Sequence, residues 1–234
     1  MSATQPTELK TICVFCGSRP GTHPAYIADA KALGALMVAE GIGLVYGGGN
    51  MGLMGTVARA VHEAGGKVLG FMPRALTGVE GMAAIGEITV VNDMHTRKRL
   101  MAAHSSAFIA LPGGYGTFEE LFEVITWLQL GIHGKPVGVV NTNGYYDPLV
   151  AMISGAVREG FVGERARGLV VVGDTVGEVL KALRGTLFGG RRVLRVWWEM
   201  TDLFVGDAEF KIPEGATYPL DWTVPDAEHK EDLI

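Results

Sequence analysis

Short apolar runs rich in Val, Ile and Leu alternate along the chain with longer segments in which apolar residues recur every three or four positions. The runs predict strands over Lys10 to Gly17, Gly43 to Gly48, Lys67 to Met72, Ile88 to Val91, Ala107 to Leu111, Pro136 to Asn141 and Leu169 to Val172. The longer segments predict helices over Pro24 to Glu40, Gly52 to Ala64, Met94 to His104, Thr117 to Leu130, Asp147 to Glu159 and Thr175 to Leu187. Strands and helices that alternate along most of the chain give βα units around a parallel sheet, hence an α/β fold, doubly wound and Rossmann-like, with helices on both faces. Ligands of such sheets bind where the strands end. Glycine or polar loops follow three of the strands, at Cys16-Gly17-Ser18-Arg19, at Tyr46-Gly47-Gly48-Gly49-Asn50 and at Pro112-Gly113-Gly114-Tyr115-Gly116. Gly17, Ser18, Gly48 and Gly49 are therefore expected to share one crevice with the third loop.

That third loop, Pro112 to Glu120, is the most informative segment. Glycines at 113, 114 and 116 remove the Cβ atoms that would keep a ligand from the backbone N–H groups, and the helix that follows adds its positive dipole end. The pattern predicts a phosphate cradle with two carboxylates, Glu119 and Glu120, beside it. A carboxylate does not favour an anion, so one of them is expected to act on another part of the ligand, such as a sugar. Thr117-Phe118-Glu119-Glu120 also fits a capping box, in which Thr117 and Glu120 satisfy each other's backbone N–H groups.

The second glycine loop contains Gly47-x-Gly49-x-x-Gly52, a weak dinucleotide signal. The next strand ends Phe71-Met72-Pro73-Arg74, with no carboxylate for an adenosine ribose, so a mononucleotide is favoured over NAD. In Asp93 to Arg99, Arg97 and Lys98 open a helix at the crevice end of the sheet, whereas Arg99 reads as part of a solvated face. Arg97 could form a planar fork to a phosphate, a ribose hydroxyl or a glutamate.

Composition narrows the functional classes. The 234 residues, 48% hydrophobic, suit one domain, assigned to 10–187, between a short tail at 1–9 and an irregular extension at 188–234. The extension carries Trp197, Trp198 and Trp222 among prolines and acidic residues, and is expected to pack on the body or on a partner subunit. A net charge of −5 with 19% charged residues lacks a nucleic-acid footprint. The start has no basic region followed by an apolar stretch, and no apolar run nears the roughly 18 residues of a membrane span, so a cytoplasmic protein without membrane association is expected. Cys13 and Cys16 fall on a strand, where residues three apart face opposite ways, and the six histidines have no ligand spacing. No metal and no cofactor are expected.

Two motifs in register carry a resemblance to a known family. Pro112-Gly113-Gly114-Tyr115-Gly116-Thr117-Phe118-Glu119-Glu120 resembles the PGGxGTxxE signature of the Lonely Guy (LOG) family, the cytokinin riboside 5′-monophosphate phosphoribohydrolases, and Met94-His95-Thr96-Arg97-Lys98 is similar to its MxxRK signature. The likeness runs from about Lys10 to Leu187 and takes in Cys16-Gly17-Ser18, Tyr46 to Gly49, Gly52 to Gly55 and Val124 to His133. It implies a homodimer that hydrolyses the N-glycosidic bond of N6-modified adenosine 5′-monophosphates, giving free base and ribose 5-phosphate. By position it implies catalytic roles for Arg97 and Glu120. Substrate contacts are implied for Glu80, Met94, Lys98, Gly113, Gly114, Tyr115, Gly116, Thr117, Phe118, Glu119 and Thr126.

The residues agree with that chemistry. A carboxylate near C1′ would stabilise an oxocarbenium-like sugar, and Glu120 is the expected group. Arg97, beside it, is expected to keep it ionised. A less selective AMP nucleosidase and a non-catalytic nucleotide sensor remain alternatives. A lysine decarboxylase would need a Schiff-base lysine for pyridoxal phosphate, with Lys98 and Lys135 the nearest candidates.

Overall fold

The computed structural model describes residues 8–77 and 84–188. Seven parallel strands form one sheet: β1 (Thr11–Phe15), β2 (Gly43–Tyr46), β3 (Val68–Pro73), β4 (Glu87–Val91), β5 (Ala107–Ala110), β6 (Val137–Val140) and β7 (Val170–Gly173). Their spatial order is β4-β3-β2-β1-β5-β6-β7. Strands β2, β5 and β6 are buried along their whole length and β1 at every residue but Thr11, which explains their continuous apolar runs, because side chains on both faces are covered.

Among the described residues six α-helices cover the sheet: α1 (Pro24–Ala39), α2 (Gly52–Glu63), α3 (Met94–Ala103), α4 (Tyr115–Gln129), α5 (Asp147–Arg158) and α6 (Val176–Phe188). Helices α1, α2 and α6 close one core through Leu33, Met37, Val57, Val61, Val179 and Leu183. Helices α3, α4 and α5 close the other through Met101, Leu121, Val124 and Leu149, around Phe108, Phe15 and Tyr146. The fold is thus the doubly wound α/β arrangement that the alternation predicts. Cys13 lies in the second core and Cys16 packs against the first, and both thiols are free. Pleating has sent them to opposite faces as expected.

After β1 the chain winds outward to β4, then returns to place β5 against the other edge of β1. The loops after β1 and β5 leave toward opposite faces of the sheet, which opens a crevice between them. Among the described residues no helix is long and apolar enough to cross a membrane.

Candidate active site

The crevice is a cleft of about 580 Å³, lined by Gly17, Ser18, Arg19, Tyr26, Leu53, Pro112 to Tyr115 and Tyr145. Its volume is that of a small-molecule site. The loops after β1 and β5 are locked together: Gly17 N–H donates to Pro112 O at 3.1 Å, and a Cβ on Gly17 would lie 3.3 Å from Gly113 Cα. Gly17 therefore spends its N–H on the protein and serves the site by allowing this contact. Met54 N–H donates to Gly17 O at 3.2 Å, which ties in the start of α2.

Helix α4 begins at Tyr115, two residues earlier than its pattern suggested, with Gly114 as N-cap and no side-chain capping bond. The capping box at Thr117 and Glu120 does not form, because both are already inside the helix. Thr117 is buried beneath Gly113, where a Cβ would meet its hydroxyl at 2.1 Å. The first bond of the helix is Phe118 N–H to Gly114 O at 3.0 Å. The N–H groups of Gly114, Tyr115, Gly116 and Thr117 have no acceptor among the described residues. A Cβ on Gly114 or Gly116 would meet nothing within 4 Å. The protein itself does not require glycine at these two positions, and open space above unpaired N–H groups is what an anion needs.

Glu120 lies three residues beyond Thr117, about 4.5 Å along the helix axis. It is 8% exposed, and Arg97, 7% exposed, donates from Nη1 to its Oε1 at 2.8 Å. Arg97 is fixed at its other nitrogens: Nε donates to Phe71 O at 3.0 Å and Nη2 to Gly47 O at 3.4 Å. A Cβ on Gly47 would sit 2.1 Å from Nη2, so the first glycine after β2 makes room for the guanidinium. Burial pushes the Glu120 carboxyl up to about 7, and the opposing pull of Arg97 is smaller. Arg97 favours the ionised carboxylate, as expected of it, but desolvation of the carboxylate outweighs that one ion pair.

Lys98 is buried and donates to Glu119, and to Glu123 Oε1 at 2.9 Å. Burial alone would lower its pKa, but these two carboxylates raise it above the usual range. Lys135 donates to Ala102 O at 2.6 Å. Neither lysine lines the cleft.

The remaining expected residues divide by location. Ser18, Gly113, Gly114 and Tyr115 line the cleft, with Tyr115 93% exposed. Phe118 stacks on Tyr145 with ring centroids 6.4 Å apart. Met94 Sδ lies 4.0 Å from Arg97 Nη1. Gly48 and Gly49 are buried and do not line the cleft, and Gly48 adopts φ +86 against Met72. Thr126 shares the face of α4 that carries Glu119 and Glu123, and its hydroxyl bonds its own helix at Phe122 O, 2.7 Å away. Glu80 and the tryptophans of the extension lie outside the described residues.

Tyr145 and Tyr146 were not anticipated. They follow β6 after the turn Asn141-Thr142-Asn143-Gly144, in which Asn143 adopts φ 54. An Asn-Gly turn at the carboxyl end of a strand beside the switch point was the available signal.

Comparison with known proteins places the chain. Residues 54–183 match a family model described as "Possible lysine decarboxylase". Cytokinin riboside 5′-monophosphate phosphoribohydrolase LOG3 of Arabidopsis thaliana is 50% identical over 202 residues, covering 84% of this chain and 92% of that one. The chain belongs to the LOG family. LOG4 of the same plant is 52% identical over 184 residues, covering 76% of this chain and 84% of that LOG protein. The molybdenum cofactor carrier protein of Chlamydomonas reinhardtii shares the LOG fold at 22% identity, with a TM-score of 0.59 over 77% of this chain and 99% of that one.

Proposed function

We propose that the chain hydrolyses the N-glycosidic bond of N6-modified adenosine 5′-monophosphates, releasing the free base and ribose 5-phosphate. The observation that carries this reading is the set of unpaired N–H groups at the start of α4, one turn away from the buried Arg97–Glu120 pair. Relatives about 50% identical over most of the chain are named for that reaction.

In the proposed mechanism, Gly114, Gly116 and Thr117 hold the 5′-phosphate, which fixes the ribose along the helix start and brings C1′ toward Glu120. The C1′–N9 bond breaks, the base leaves with its bonding pair and takes a proton, and water supplies the new C1′–O bond. Ionised Glu120 offsets the positive charge that develops on the sugar. Arg97 orients the carboxylate through a fork held by two backbone carbonyls.

The reading extends to a cytoplasmic homodimer. Two unpaired thiols suit a reducing compartment, and α4 and its C-cap residue present Phe122 and Leu130 outward, 36% and 56% exposed, as a self-associating helix would. Size-exclusion chromatography with light scattering tests the dimer.

The activity is tested by chromatographic detection of free base after incubation with N6-isopentenyladenosine 5′-monophosphate, its riboside or AMP, with Glu120→Gln as control. Release from the modified monophosphate alone, lost in the variant, is the expected result. Equal release from AMP would refute the selectivity, and no release from any monophosphate would leave a binding site without turnover.

A further inference from the structure

We infer that Tyr145 is a positioning residue of the phosphate subsite, acting by holding the peptide plane whose N–H faces the ligand. The inference rests on the function proposed above.

Three consecutive carbonyls of the loop after β5 are each tied down. Tyr146 Oη donates to Leu111 O at 2.8 Å, Gly17 N to Pro112 O at 3.1 Å, and Tyr145 Oη to Gly113 O. A trans peptide unit points its C=O and the following N–H in opposite directions. Fixing Gly113 O on one side therefore fixes Gly114 N–H on the other. That N–H has no acceptor among the described residues, and Gly114 lines the cleft. Two adjacent glycines have wide backbone freedom, so without a clamp this peptide could rotate and withdraw its donor. Tyr145 is itself braced, stacked on Phe118 and edge-on to Tyr26 at 6.1 Å. The turn that delivers it is anchored by Thr142 Oγ1 to Asp29 Oδ2 at 2.5 Å and by Asn141 Nδ2 to Asp147 Oδ1 at 2.9 Å.

Tyr146 supplies the internal contrast. It clamps the peptide between Leu111 and Pro112, and proline has no N–H to present. One tyrosine hydroxyl thus orients a donor, and its neighbour only holds the strand end.

The test compares Tyr145→Phe and Tyr146→Phe with the natural protein. It measures kcat and KM on N6-isopentenyladenosine 5′-monophosphate, Kd for ribose 5-phosphate by calorimetry, and melting temperature. The phosphate keeps its charge through the reaction, so its contacts act on ground state and transition state alike. Tyr145→Phe is expected to raise KM and the ribose 5-phosphate Kd about tenfold with kcat within about twofold. Tyr146→Phe is expected to lower the melting temperature and leave KM and Kd in place. Unchanged KM and Kd in Tyr145→Phe, a fall in kcat alone, or equal KM changes in both variants would overturn the inference. If the natural protein releases no base, the proposed function fails, and the ribose 5-phosphate titration still decides: a tenfold loss in Tyr145→Phe upholds the clamp and equal affinity refutes it. If the natural protein neither releases base nor binds ribose 5-phosphate, both fall.

Discussion

Glu120 makes the sharpest prediction, because its burial sets a pH at which the enzyme switches on. With its carboxyl lifted from 4.5 to about 7, about one-tenth of the molecules carry ionised Glu120 at pH 6 and about nine-tenths at pH 8. The ionised form is the one that stabilises the developing sugar cation, so kcat should rise about tenfold between those values and level off above them. The assay is the initial rate of base release at saturating monophosphate. Saturation matters because the substrate phosphate itself titrates near pH 6 and would shape kcat/KM. A flat profile would remove Glu120 from the charged role, and a rate that falls with pH would make it a proton donor instead.

The same shift has a thermodynamic face. Between about pH 4.5 and 7 the folded protein keeps a proton that the unfolded chain has lost. The associated stability is present below the unfolded value and is lost as pH rises through 7, on the order of 3 kcal/mol in all. Glu120→Gln has nothing to ionise and its carbonyl can still accept from Arg97. Its melting temperature should therefore gain on the natural protein as pH rises from about 5 to 8, while its turnover falls at least about 10²-fold. A variant that loses ground to the natural protein as pH rises would reverse the assigned direction.

Arg97→Lys keeps the charge but loses the planar fork that makes three anchored bonds, and should cost at least about 10²-fold in kcat/KM; near-normal kinetics would reduce Arg97 to a charge alone. Gly47→Ala forces Arg97 off its carbonyl, since the new Cβ falls 2.1 Å from Nη2, so its kcat should resemble that of Arg97→Lys although residue 47 bears no functional group. Gly116→Ala enters open space inside a helix. It should leave stability unchanged or up to about 1 kcal/mol higher by denaturant titration and raise KM for the monophosphate, whereas a variant that loses stability would show that glycine there serves the fold.

Much of this was legible in the chain. The buried strands announce themselves as unbroken apolar runs because both faces of a parallel sheet are covered, and each described strand and α-helix falls within a few residues of its predicted span. The switch-point crevice followed from glycines at strand ends, and Arg97 and Glu120 were singled out from the helix starts that carry them. The pattern places the start of α4 two residues late because a capping box at Thr117 and a glycine cap at Gly114 compete within one short segment, and only the geometry of Gly113 over Thr117 separates them. Local pattern, in short, determined the elements, the sheet type and the chemistry of the loops, because these depend on neighbours three or four residues away.

The tertiary structure alone decided how the pieces act on one another. The pKa of Glu120 depends on how much water reaches it, and that is set by β1, α3 and α4 closing together. The clamp of Tyr145 on Gly113 O spans 32 residues, and the fit of Arg97 against Gly47 spans 50. Such pairs carry no local signature, since what joins them is the winding of β2, β5 and β6 around β1.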